Sequence, residues 1–201
     1  MNILVVFAHP IRESFTGQIM DNFVKGATRA GHSIDINDLY ASNFKPVMSP
    51  EELVLQFEGK PPPEEILAEQ ARYEACDAMV LIFPVWWWTV PAILKGWFER
   101  VFTAGWAYPI DVEDPACTLS GERKGMILCC GGASEATYEE QGKEPTVART
   151  LARSTFGYIN AKHVTTHIFH GARTSVDISD DCMARRTEYL RQAYEIGTSF
   201  G

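Results

Sequence analysis

Residues Ala78 to Tyr108 read AMVLIFPVWWWTVPAILKGWFERVFTAGWAY, and this stretch holds all five of the chain's tryptophans. Ala78 to Phe83 is a continuous apolar run, which suits a strand of a parallel sheet covered on both faces. Pro84 stops it. Beyond the tryptophans, Thr89 is placed to cap a helix whose first turn tolerates Pro91. Ile93, Leu94, Trp97, Phe98, Val101 and Phe102 recur at helical spacing as its buried stripe, with Lys95 and Glu99 on the other face. Between strand and helix stand Trp86, Trp87 and Trp88. In an extended segment successive side chains point to opposite faces, so one core cannot take all three. At least one indole faces a ligand groove or a partner surface, because exposed indole is otherwise a solubility liability.

The same strand, loop, helix unit recurs on either side. Ile3 to Ala8, ILVVFA, is a first apolar strand ended by His9 and Pro10. Phe15, Ile19, Met20, Phe23, Val24 and Ala27 then mark a helix up to Gly31. Ser33 to Asn37 alternates apolar and polar residues, the pattern of an edge strand wetted on one face. From Asp38 to Pro63 the regular signal weakens, apart from a capped short helix at Ser49-Pro50-Glu51-Glu52, and the stretch reads as an excursion. A helix over Glu64 to Ala75 leads into the Ala78 strand. After a polar loop from Asp111 to Gly121, Gly125 to Cys130, GMILCC, is a further buried strand ending at Gly131-Gly132. A helix follows over Thr146 to Phe156, then an alternating edge strand, His163 to Phe169, and a last helix over Asp180 to Gly197 with Gly197 as its C-cap.

Five strands alternating with helices predict an α/β fold with a parallel sheet in one domain over residues 1–201. With strands one, three and four covered on both faces and two and five at the edges, the simplest order is 2-1-3-4-5. The topological switch then lies between strands one and three, so ligand is expected beyond their carboxyl ends, at His9 to Phe15 and Pro84 to Thr89.

Composition narrows the function classes. The net charge is -8, with no basic cluster or stripe, which argues against nucleic acid or an anionic membrane as partner. The five cysteines (Cys76, Cys117, Cys129, Cys130, Cys182) show neither CxxC nor finger spacing and read as reduced thiols, and no metal site is expected. No apolar run is long enough to span a bilayer, and the amino terminus has no basic region ahead of its short apolar stretch. A cytoplasmic location is the expectation. GxGxxG and the P-loop are both absent after the first strand, which excludes a nicotinamide dehydrogenase of Rossmann type. What stands there is a loop with His9, Arg12, Ser14 and Thr16 opening a helix, whose free backbone donors can hold a phosphate.

PAILKGWFERVF followed by GWAY resembles the NAD(P)H:quinone oxidoreductase family, flavodoxin-like flavoproteins that include mammalian quinone reductases and bacterial modulator and ancillary reductases. AHP with Ser14-Phe15 five residues after His9, DLYASNFKPV, and Gly131-Gly132 with Tyr138 fall in family order. The resemblance implies a flavodoxin-like three-layer sandwich. It also implies a flavin, FAD with FMN as the alternative, whose phosphates rest near His9, Ser14, Phe15 and Thr16. The flavin ring would lie against Pro84, Val85, Trp86 and Trp87, bordered by Gly131 and Gly132. Trp88, Trp106 and Tyr108 would form the substrate slot and Tyr138 would be catalytic.

The implied activity is two-electron reduction of quinones or similar electrophiles by NADH or NADPH, by ping-pong hydride transfer in a homodimer. The family's relay histidine is replaced by Glu144, with Lys143 nearby. His32, His163, His167 and His170 read as structural or solvated. Two other classes stay open: an ancillary flavoprotein of a potassium efflux system, and a one-electron carrier of flavodoxin type.

Overall fold

The computed structural model describes residues 1–110, 119, 121–140, 149–172 and 179–201. Five strands form one sheet in the order β2-β1-β3-β4-β5, every neighbouring pair parallel. They are β1 (Asn2–Phe7), β2 (Ser33–Asp38), β3 (Ala78–Pro84), β4 (Arg123–Cys130) and β5 (Ala161–Phe169). The expected order and edges hold: β1, β3 and β4 carry almost unbroken buried runs, whereas Ile36 of β2 stays exposed. Alternation along each strand builds two apolar layers. Leu4, Val6, Met79 and Leu81 go to one, and Ile3, Val5, Phe7 and Val80 to the other.

The first layer is covered by α3 (Glu64–Glu74) and α4 (Ala92–Val101), together with a π-helical turn, Thr150–Thr155, that runs into Phe156–Tyr158. The second is covered by α1 (Phe15–Arg29) and the long last helix, Asp180–Ser199, called α6 after the short α5 (Glu135–Glu140). The helix expected from Thr146 is described only from residue 149; its first residues, Lys143 and Glu144 lie outside the described residues.

The excursion holds α2 (Pro50–Phe57), whose Ser49 and Glu52 form a reciprocal capping box. Arg100, on α4 and 5% exposed, ties this excursion down. Its guanidinium donates to Glu52 at 2.6 and 2.9 Å, to the Lys45 carbonyl at 2.6 Å, and to Glu65.

Two expected helix ends differ. Thr89 does not cap α4, because its backbone is paired with Trp86; the helix starts after Pro91 with no side-chain cap. Gly197 is not a C-cap but an interior residue of α6. A Cβ there would fall 2.2 Å from the Phe23 carbonyl oxygen, and one at Gly26 would fall 2.1 Å from that of Tyr194. The two glycines let the backbones of α1 and α6 touch, and this contact, not a turn, explains them. Among the described residues no helix is long and apolar enough to cross a membrane.

Candidate functional site

The loops after β1, β3 and β4 meet at the carboxyl edge of the sheet. Val85 N–H donates to the Cys130 carbonyl at 2.9 Å, and the His9 ring lies 6.1 Å from that of Trp86. His9 Nδ1 accepts from Ile11 N–H at 3.0 Å, so in the neutral ring the proton sits on Nε2, which is left to donate. Burial pushes the His9 pKa down and favours that neutral form.

Ser14 caps α1, its hydroxyl oxygen accepting from Gly17 N–H at 3.2 Å. The backbone N–H groups of Phe15 and Thr16, in the first turn of a 15-residue helix, have no partner among the described residues. Arg12 is engaged otherwise, paired with Asp21 at 2.5 Å. The Thr16 side chain is buried, so it offers a ligand its N–H rather than its hydroxyl.

Trp86 and Thr89 exchange both backbone hydrogen bonds, at 3.1 and 3.0 Å, around a two-residue turn. Trp87 and Trp88 occupy its corners with φ of 51° and 62°. This is the primed turn that normally selects Asn-Gly, because left-handed backbone costs an L residue roughly 1–2 kcal/mol. Trp87 is 95% exposed. A bulky indole on strained backbone, facing outward at the switch point as Trp87 does, has no packing rationale.

Trp88 turns toward β4 and β5. Its ring meets Tyr138 edge to face at 4.8 Å, and Tyr138 meets His170 in the same way at 4.7 Å. Tyr138 lies over Gly131: a Cβ there would come 2.6 Å from the tyrosine hydroxyl, while one at Gly132 would meet nothing within 4 Å. Burial raises the Tyr138 pKa, with the nearby Cys129 thiol adding to the effect. Burial also pushes Cys130 up to about 12 and Cys129 well above the thiol range, so neither is a nucleophile at neutral pH.

On the other side of the tryptophan turn a groove of about 730 Å³ runs along α4. Trp87, Trp88, Phe98, Phe102, Tyr108 and Tyr158 line it, with Lys95 and Glu99 at its rim. Tyr108 and Tyr158 are 5.5 Å apart. Phe98 escapes sequence reading because periodicity assigns it to the buried stripe of α4, and Tyr158 because it falls between the expected Thr146–Phe156 helix and the His163–Phe169 strand, where no element is expected. Trp106 is not brought to this groove: its indole N–H donates to Glu74 at 2.7 Å and its ring packs on Tyr73 and Phe102. His170 is the other residue missed. Its only sequence signal is its position directly after the fifth strand. Among the described residues no group of three or more His, Cys, Asp or Glu side chains is placed to hold a metal ion.

The profile of a family described as having a flavodoxin-like fold matches residues 1–193. Rat NAD(P)H dehydrogenase (quinone) 1 is 40% identical over 156 residues, which are 69% of this chain and 56% of the relative. The chain thus spans little more than half the length of the mammalian relatives it matches. An uncharacterized NAD(P)H oxidoreductase of Haemophilus influenzae is 30% identical over 170 residues, 84% of this chain and 83% of that protein. Among solved structures, an NAD(P)H:quinone oxidoreductase from Methanothermobacter marburgensis matches with TM-score 0.84 and 33% identity, covering 100% of this chain and 96% of the other.

Proposed function

The chain belongs to the flavodoxin-like family of NAD(P)H:quinone oxidoreductases, and from that premise we propose a flavin-dependent enzyme that passes two electrons from NADH or NADPH to quinones or similar electrophiles. One observation carries the reading: the strained turn at Trp87 and Trp88, aimed outward at the switch point beside a helix N-terminus with unpaired donors. The residues present fit a flavin. Phosphates are held by the N–H groups of Phe15 and Thr16, the Ser14 hydroxyl and His9 Nε2–H, assisted by the positive end of α1. Pro84, Val85, Trp86 and Trp87 give a flat apolar ring its wall, and the open space at Gly132 lets backbone come close to its polar edge.

A bound flavin supplies two-electron hydride chemistry. The chain's part is to orient it, to exclude water with Trp87 and Trp88, and to keep a hydroxyl, that of Tyr138, where negative charge develops. Nicotinamide and acceptor would use the same aromatic groove in turn, with Trp88 and Tyr108 as its walls. Trp106 enters this reading only as support behind Phe102. Of the two flavins we take FAD, from the resemblance alone.

One domain over residues 1–201 carries this activity, cytoplasmic and homodimeric, a second copy covering part of the apolar groove. The purified protein should show a flavin spectrum that NADH or NADPH bleaches and a quinone restores; a colourless protein that neither FAD nor FMN reconstitutes would sink the proposal. Heat release and chromatography decide between the flavins, and light scattering decides the dimer.

A further inference from the structure

The sheet face under α1 and α6 is not closed along its whole width. Gly26 and Gly197 let α6 settle directly onto α1, which leaves part of β5 uncovered. A cleft of about 500 Å³ lies there, toward the amino end of β4. Lys124 and Met126 of β4 and Thr165 and His167 of β5 form its floor, and Ile196 of α6 with Phe200 just beyond forms its wall. It shares no residue with the aromatic groove along α4 or with the loops after β1, β3 and β4.

A bulge decides which side chains face this cleft. Lys124 pairs with Lys162 but Met126 pairs with Thr165, so β5 carries one residue more than β4, and His163 lies in the bulge on left-handed backbone, φ 51°. In a regular strand Ala161 and Val164 would point to opposite faces. Across the bulge both enter the layer under α3 and α4, and Thr165 and His167 turn to the other. Glycine takes such a position at little cost. A histidine there is strained, and it lines the cleft.

The groups gathered here suit an anion, on a chain whose net charge is -8. Glu122, ahead of Lys124 on β4, is engaged by Lys162 at 2.9 Å and by His163 at 3.4 Å. The Lys124 ammonium has no ion pair among the described residues; Gly201 also borders the cleft without one. The half-buried His167 ring has no hydrogen-bond partner among the described residues, and burial pushes its pKa down, so it rests neutral with one N–H to donate. The Thr165 hydroxyl is a further donor. The wall opposite is held in place independently: the Phe200 ring stands edge-on to Phe23 at 6.0 Å, and its carbonyl accepts from His32 Nε2–H at 2.5 Å. A solvated edge strand accounts for polar residues on this face, but not for a fixed apolar wall beside an unpaired ammonium, reached through a strained bulge.

We propose that this cleft is a second binding site, for a small organic carboxylate with an apolar body. Lys124, His167 and Thr165 receive the head, and Met126, Ile196 and Phe200 take the body. The site does not depend on the flavin reading.

The test titrates the ¹⁵N-labelled protein, as purified, with octanoate, and in parallel with octanol and octylamine, which put a neutral and a cationic head on the same chain. Octanoate should shift the backbone amides of Lys124, Thr165, His167 and Phe200 and bind at least ~10-fold more tightly than octanol, with octylamine weaker still. Lys124→Met keeps a long side chain and removes its charge, so the preference for carboxylate should disappear while octanol binding stays. Octanoate shifts that are absent from these four residues, or equal affinity for the three heads, overturn the inference, and both are read on the wild-type protein. A protein that takes up no flavin yet shows these shifts overturns the flavin reading and leaves this site standing.

Discussion

The turn at Trp86–Thr89 and the helix that follows it are neighbours in sequence, both carry tryptophan, and they are opposite in what they do. On α4, Trp97 is 0% exposed, its ring edge-on to Phe98 and Phe102 and its N–H donating to Glu69 at 2.7 Å. In the turn, Trp87 is almost wholly in water on left-handed backbone. The helix residue obeys every rule of burial and hydrogen bonding, and its presence is explained by the fold. The turn residue breaks those rules, and nothing in the fold returns what it costs. Where local preference and observed conformation disagree without compensation, the site is where to look.

The largest test of this contrast is Trp97→Ala, which removes a fully enclosed side chain and one of the donors to Glu69. Chemical denaturation should show a loss of about 3–5 kcal/mol; a loss as small as that of a surface change would erase the distinction. Next is Arg100→Ala, which strands the carboxylate of Glu52 beneath the excursion and should destabilise by about 3 kcal/mol. Limited proteolysis should then cut first within residues 45–60. Trp87→Asn sharpens the contrast from the other side, since asparagine tolerates the left-handed corner. Thermal unfolding of flavin-free protein should show a gain of about 0.5–1 kcal/mol, while flavin affinity falls by roughly tenfold. A variant that loses stability would mean that Trp87 belongs to the core after all. The smallest effect is expected for Lys95→Ala, which breaks an exposed ion pair with Glu99 on the groove rim and should change stability by no more than about 0.5 kcal/mol.

Much of the architecture is legible in the sequence because burial pattern and strand order are two views of one fact. A strand covered on both faces has to read as an apolar run, so β1 and β3 could be placed at the centre before any coordinates. Helix ends were less legible. Thr89 has the chemistry of a cap, but the backbone hydrogen bonds of the hairpin turn claim it first. Gly197 has the chemistry of a stop, but its missing side chain serves a contact with a residue more than 170 positions away.

The site divides in the same way. Its two loops were predicted from topology, and the converging Gly131 and Tyr138 from the resemblance, whereas the left-handed corners were invisible because no glycine or asparagine announces them. His170 was passed over because a lone histidine after a strand carries no pattern. Only the three-dimensional neighbourhood of Tyr138 makes it stand out. Trp106 shows the converse, an aromatic in a suggestive stretch whose indole the fold directs to Glu74.

The close backbone contact of α1 and α6 through Gly26 and Gly197 bears on the order of events during synthesis. The helix whose first turn is proposed to hold the phosphates is made well before residues 180–199, yet its outer surface is covered only when those residues emerge. Until then Phe23 and Ala27 lack the neighbour that buries them. On the proposed reading, cofactor loading therefore follows translation of this segment and does not guide the nascent chain.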